Sequence, residues 1–293
     1  MTLDELLDSR TIISETPQMP PEDAWLRKID VVEELGKGED MENIKQKKIP
    51  KVITKVFLQK TGGIPNVSEM GESLVSAHKS WTELNPGYKV QYFDLKACRD
   101  YLAMYFHPVF LRAFDCLMPF AFKVDFFRMV IVYREGGWYS DWKQACVKQN
   151  LLSTLSHGRD LVVFREGFKG RIQNGVFGAI SRHPLMAAVI KDILKNVQLS
   201  YYGDDAFNVT NTALFYHHFK ILKMNKIVTN DSIVGRFQML KREQRFVVDM
   251  KKAIVHKCEN CSQNKDWENG NNYEAMFANR QCYCEDAASL FQA

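Results

Sequence analysis

The stretch Val124–Lys143, VDFFRMVIVYREGGWYSDWK, restricts the fold more than any other part of this chain. It reads as an apolar helix carrying Asp125 and Arg128, then a Gly136-Gly137 break, then a short strand with Tyr139, Asp141 and Lys143. Residues three apart on a helix share a face, so Asp125 and Arg128 are neighbours. A helix that is apolar almost all round belongs in a core. Burying either charge there is costly unless it is paired. Two readings stay open: an internal structural pair, or polar groups held ready for a ligand. Alternation along the strand puts Tyr139, Asp141 and Lys143 on one face. Open α/β sheets bind ligands at the ends of such strands. A solvated edge is the bland alternative, and Trp138, Trp142 and the double glycine argue against it.

Strands and helices alternate around this unit. Val52–Leu58 reads as a buried strand running into Thr61-Gly62-Gly63, and Ser68–Leu84 as a helix stopped by Asn85-Pro86-Gly87. Tyr88–Phe93 is a second strand, Leu95–Phe106 a helix, and Pro108 opens another. Pro119–Glu135 is the central helix and Trp138–Trp142 the strand after it. Leu161–Arg165 and Val176–Ser181 read as strands, Leu185–Leu199 and Asp204–Phe219 as helices. Alternation of this kind predicts an α/β fold with a mostly parallel central sheet flanked by helices. Residues 1–48 read as a charged leader, helical or partly disordered. Residues 49–255 are the domain, and 256–293 form a Cys-rich tail placed as a cover over the active site.

Composition narrows the function classes. The 293 residues are 46% hydrophobic and 25% charged, with a net charge of +4 and the two signs mixed. That balance does not call for nucleic acid and suits an anionic small ligand. The longest apolar stretch, Leu117–Tyr133, is interrupted by Lys123, Asp125 and Arg128, and no run reaches the ~20 residues of a membrane span. The N-terminal residues lack the pattern of a signal peptide, so a cytoplasmic location is expected. Reduced thiols are expected for the seven cysteines, and the four N-x-[ST] sequons are taken as chance.

The polar groups of Val124–Lys143 would make a seat for a charged, hydroxyl-rich ligand such as a nucleotide sugar. Asp125-x-x-Arg128, Gly136-Gly137 and Tyr139-x-Asp141-x-Lys143 resemble the pattern of glycosyltransferase family 32, the retaining enzymes with a sugar-binding DXD motif. Initiating mannosyltransferases, mannosyl-inositolphosphoceramide synthases and the glucosylating domains of clostridial toxins look similar in this segment. Ile49-Pro50-Lys51 resembles the start of the family's catalytic domain. Trp81 with Asn85-Pro86-Gly87-Tyr88, and Asn174-Gly175 with Ser181 and His183-Pro184, resemble further pieces of it.

The resemblance implies a GT-A fold and transfer of a hexose-type sugar, with retention, from a nucleotide-diphosphate sugar to a glycan, lipid or protein hydroxyl. It implies donor binding by Phe57, Gln59, Asp125, Arg128, Tyr139, Asp141 and Asn174. Catalytic roles would fall to Asp141, Lys143 and Asp205, although capping of the following helix is the favoured role for at least one of Asp204 and Asp205. The family has a second Asp where Lys143 stands, and that Asp holds Mn²⁺ or Mg²⁺. A protonated lysine cannot ligate such a cation. Lys143 would then neutralise the departing diphosphate, or a metal would be held by Asp141 with a downstream ligand such as His256, or only binding would remain. In the tail, Cys258, Cys261, Cys282 and Cys284 have a spacing that can hold structural zinc, with reduced cysteines as the other reading. Two other functions fit the same residues: an inactive sugar-nucleotide or glycan binder, and a zinc-stabilised interaction module.

Overall fold

Short runs rich in valine, isoleucine and aromatic residues build the sheet. In the computed structural model, residues 48–60, 62–65, 71–167, 171–240, 243–248, 252–257 and 271–287 are described. The leader, apart from Lys48, lies outside them, as do Cys258 and Cys261. The strands are β1 (Val52–Val56), β2 (Lys89–Phe93), β3 (Gly137–Ser140), β4 (Gln144–Cys146) and β5 (Leu161–Arg165). They continue with β6 (Ile172–Ala179), β7 (Ile233–Leu240), β8 (Glu243–Val248) and β9 (Lys252–Lys257). Their order across one sheet is β2-β1-β3-β6-β5-β7-β8-β9-β4. Within the first six, β2, β1, β3, β5 and β7 run one way and β6 alone runs against them. The expected α/β fold, with a central sheet of mostly like-directed strands, is therefore present. Beyond β7, the pairings to β8, β9 and β4 are all antiparallel.

Helices cover both faces. They are α1 (Glu72–Glu83), α2 (Leu95–Tyr105), α3 (Pro108–Cys116), α4 (Phe120–Glu135) and α5 (Leu151–Ser156). After these come α6 (Pro184–Gln198), α7 (Thr212–Met224) and α8 (Tyr273–Ala278). Side chains alternate along each strand, so one strand feeds two cores. Val56, Tyr139, Leu161 and Val163 pack with α4 and α6 on one face, and Ile53, Trp138, Val162 and Phe164 pack with Trp81 and Leu152 on the other. Phe122, Phe126 and Phe127 of α4 are fully buried, each contributing about 1.5–3 kcal/mol of hydrophobic stabilisation. Among the described residues, no helix is long and apolar enough to cross a membrane.

The double glycine is required by space as well as by backbone conformation. Gly136 and Gly137 have φ of +68° and +98°, a region that favours glycine. A methyl group on Gly137 would sit 2.8 Å from the Val52 carbonyl oxygen, and one on Gly136 would sit 2.7 Å from the Ser181 amide. Only glycine lets α4 turn directly into β3 beside β1.

Three local expectations change. The expected strand Trp138–Trp142 ends at Ser140, and Gln144 N donates to Asp141 O (3.1 Å), closing a turn. Lys143 therefore lies in a turn, where strand alternation no longer fixes its direction. The expected helix Asp204–Phe219 is divided into a 3-10 turn at Ala206–Asn208 and α7. Asp205 and Asn211 each cap a backbone amide there, and such local hydrogen bonds compete with a continuous helix. The cysteines also differ from expectation, because Cys116 and Cys284 form a disulfide across a sequence separation of 168 residues. Cys284 is thus unavailable to a zinc site, and Cys282 is a buried thiol. The four-cysteine zinc site and the interaction module built on it do not stand as proposed.

The disulfide fastens residues 271–287 along the segment leading into α4. Met118 N donates to Cys282 O (2.9 Å), Cys284 N to Cys116 O (2.9 Å), and Phe120 N to Asn271 Oδ1 (2.8 Å). A bridge closing so long a loop removes much unfolded-state entropy, and its loss typically costs about 2–5 kcal/mol. Cys284→Ser is expected to lower stability by that amount in urea unfolding without reductant. Dithiothreitol should destabilise the parent protein and leave the variant unchanged.

Candidate functional site

The apolar helix α4 delivers Asp125 and Arg128 to the ends of β3 and β6. The Arg128 guanidinium lies 3.1 Å from Asp125 and 3.2 Å from Asp141. It also donates to the Asn174 carbonyl (2.7 Å) and stacks 4.4 Å over the Tyr139 ring. Asp125 accepts from Asn174 Nδ2 (3.1 Å) and from the Thr210 hydroxyl (2.9 Å). Tyr139 donates its hydroxyl to Asp141 Oδ1 (2.9 Å). The Asp141 amide donates to the Gly175 carbonyl (2.7 Å), and a methyl group on Gly175 would collide with Asp141 Oδ2. Asp125, Arg128, Tyr139, Asp141 and Asn174 are thus gathered at one point.

Exposure divides this group. The Asp141 side chain is 39% exposed, against 3% for Asp125 and 7% for Arg128. Asp141 is the member that meets solvent, and the others brace it from inside. Burial pushes Asp125 up to about 6, against the opposing charge of Arg128 and the hydrogen bond from Thr210. Burial alone would lower Arg128, but the neighbouring Tyr139, Asp141 and Asp125 outweigh it and hold the guanidinium above its usual range. Burial pushes the Tyr139 phenol well up, so it remains a donor.

A second buried cation stands on the other side of Asp141. Lys55, fully buried in β1, donates to Ser140 Oγ (3.1 Å), Asp141 O (2.9 Å) and Gln144 O (3.4 Å). Burial pulls it down to about 7, with Asp141 opposing. Neither Lys55 nor Thr210 is apparent as a site residue from sequence. The available signal for Lys55 is one charged residue within the apolar strand Val52–Leu58.

The remaining expected residues have definite places. Phe57 packs on Trp142 (4.8 Å between ring centroids), and His78 and Tyr92 complete an aromatic cluster around that tryptophan. Tyr92 is 41% exposed, giving the cluster an open ring. Gln59 donates to the carbonyls of Gly62 (2.9 Å) and Gly63 (3.3 Å), holding the glycine loop. Asp205 caps Phe207 N (2.9 Å) and pairs with Arg171 (2.7 Å). His256 lies in β9 opposite Ala145.

Whether these residues suit a divalent cation depends on their oxygen atoms. Both Asp125 oxygens already accept from protein donors, Asp141 Oδ1 faces Tyr139 and Arg128, and position 143 is lysine. No group of three His, Cys, Asp or Glu side chains that could hold a metal occurs among the described residues. The described residues supply no ready-made set of protein ligands, so a cation here would depend on water and substrate phosphate oxygens for most of its shell.

Residues 71–159, which include α4, β3 and the Asp141 turn, match the family model described as a glycosyltransferase sugar-binding region containing a DXD motif. The segment is similar to the sugar-binding region of glycosyltransferases. An uncharacterised glycosyltransferase of Acanthamoeba polyphaga mimivirus is 30% identical over 165 residues, or 56% of this chain and 61% of its own. Inositol phosphoceramide mannosyltransferase 3 of Schizosaccharomyces pombe is 30% identical over 145 residues, or 50% of this chain and 37% of its own. The chain therefore spans less than two thirds of either relative. Among solved structures, the PaToxG glycosyltransferase aligns with a TM-score of 0.45 at 15% identity, covering 62% of this chain and 75% of its own. Both sequence relatives are named as glycosyl or mannosyl transferases, and the similarity extends over about half of this chain.

Removing one member of a buried ion pair strands the other, at about 3–5 kcal/mol. Arg128→Met is expected to cost that much in chemical denaturation, and adding Asp125→Asn should recover part of it. In Arg128→Met the folded-state value of Asp125 rises further above its unfolded value. Folding then takes up a proton, and stability falls as pH rises through that interval. The gap between variant and parent should widen from pH 5 to pH 8.

Proposed function

We propose that this chain transfers a hexose-type sugar from a nucleotide-diphosphate sugar to a hydroxyl of a glycan, lipid or protein, with retention, on a GT-A-type fold. The observation that carries the reading is the braced, partly exposed Asp141 at the end of β3, inside the segment that matches the sugar-binding region. A carboxylate can accept two hydroxyl donors at once. Arg128 and the Tyr139 hydroxyl hold it aimed, so little reorganisation is needed when a sugar arrives. Asp125 and Asn174 fix Arg128 in turn. The exposed ring of Tyr92, with Phe57 and Trp142, offers a stacking surface to a nucleobase, and Gln59 shapes the loop beside it.

Lys143 follows Asp141 in the turn, and its ammonium would neutralise charge on the departing diphosphate. Transfer with retention needs no base on the opposite face, which leaves Asp205 as a cap and ion-pair partner that an acceptor hydroxyl could approach. A manganese-dependent route through Asp141 and His256 has less support, because the surrounding oxygen donors are engaged. The same feature favours a second reading, a binder without turnover. As to compartment, structural disulfides persist in oxidising surroundings, and Cys116–Cys284 speaks against a cytosolic setting.

Titration calorimetry and hydrolysis assays with UDP-glucose, UDP-galactose and GDP-mannose test the proposal. At least one donor should bind and turn over, and EDTA should leave the rate unchanged. Binding without turnover would favour the second reading, and no binding would sink both. A hydrogen bond to a charged group is worth about 1.5–3 kcal/mol, so Asp141→Asn should weaken donor binding about 10- to 100-fold.

A further inference from the structure

An ammonium group that is completely buried is costly, and a methionine in its place would avoid the desolvation. Lys55 is nevertheless fully buried in β1. Its three N–H donors meet three acceptors, all on the segment that turns out of β3: Ser140 Oγ, Asp141 O and Gln144 O. Trp81 of α1 donates to the same Gln144 carbonyl (2.7 Å), and its ring lies 5.2 Å from the Lys55 ammonium. Ser80 Oγ accepts from Cys146 N (2.9 Å). A strand and a helix thereby grip this turn from below, while Arg128 and Tyr139 grip the Asp141 side chain from the other side.

Asp141 lies beyond the last paired residue of β3, so strand pairing does not fix its backbone on the β1 side. The β1–β3 register stops at Thr54 and Tyr139. Lys55, one residue further along β1, takes over where the ladder ends. It spans from β1 to the turn with an ammonium in place of backbone hydrogen bonds.

We propose that Lys55 is a positioning residue for Asp141: its buried ammonium fixes the Ser140–Gln144 turn and so sets the direction in which the Asp141 carboxylate meets a sugar nucleotide. The donor half of this proposal rests on the function proposed above; the half concerning the turn does not. Lys55 touches no ligand itself. An error of about 1 Å in such a group can cost about 100-fold in rate.

Lys55→Met keeps the length and removes the charge, and Lys55→Gln keeps a donor if the methionine variant fails to fold. Asp192→Asn serves as a control, since it breaks a buried pair with His218 (2.7 Å) between α6 and α7. Hydrogen exchange of peptides spanning residues 140–147 should quicken at least about tenfold in Lys55→Met, or more weakly in Lys55→Gln, and stay unchanged in Asp192→Asn. Affinity for whichever of UDP-glucose, UDP-galactose or GDP-mannose binds the parent should fall about tenfold in the Lys55 variant alone. Unchanged exchange in residues 140–147 overturns the proposal. So does equal loss of affinity in Asp192→Asn, which would mark a general loss of stability. If the parent binds none of the three donors, the glycosyltransferase reading fails, and the exchange measurement alone decides the role of Lys55.

Discussion

One guanidinium holds three segments of this molecule together. Arg128 reaches from α4 to the Asp141 carboxylate beyond β3 and to the Asn174 carbonyl in β6. Asp125, one helical turn away, keeps it charged and extends the connection through Thr210 to the segment before α7. An arginine suits this position because its planar fork can address several acceptors at fixed angles. The close approach depends on residues without side chains. Gly136 and Gly137 let the helix turn into the strand, and Gly175 leaves room for the Asp141 carboxylate.

Most of the unit around this arginine could be read from sequence because it is local. An apolar helix, a double glycine and an aromatic strand occupy twenty consecutive residues, and short-range periodicity suffices to place them. Asn85-Pro86-Gly87 ended its helix for the same kind of reason. The parts that were not legible depend on contacts between distant residues. Lys55 and Ser140 are 85 residues apart, and Thr210 and Asp125 are likewise 85 apart. The Cys116–Cys284 bond spans twice that distance. In Asp204–Phe219, the helical pattern was visible, but the capping competition at Asp205 and Asn211 that divides it was not. The outer strands β4, β7 and β8 are not legible in the sequence, because short runs of mixed charged and apolar residues give a weak alternating signal.

A segment distant in sequence lies beside the helix that carries the buried carboxylate. Residues 271–287 run along the approach to α4, fixed by the disulfide and by the backbone bonds at Met118 and Cys284. Tyr273 packs 5.9 Å from Phe122 and 6.5 Å from Phe207. It also feels the charges of Asp125 and Glu166. Residues 271–287 are therefore a fastened wall near the buried carboxylate of α4.

Residue 141 sits between two buried cations that act on different atoms. Arg128 attracts its carboxylate, and Lys55 binds its carbonyl. Neither cation is economical as a source of stability, since a well-packed apolar core would serve as well or better. Their joint effect is directional: one restrains the side chain, the other the backbone that carries it. Asp125 and Asp141 offset Arg128 and Lys55, so these four side chains carry no net charge when all are ionised. The set leaves one partly exposed carboxylate facing solvent and no buried charge without an opposite neighbour. Under the function proposed above, a sugar hydroxyl would meet the one carboxylate of this set that solvent already reaches.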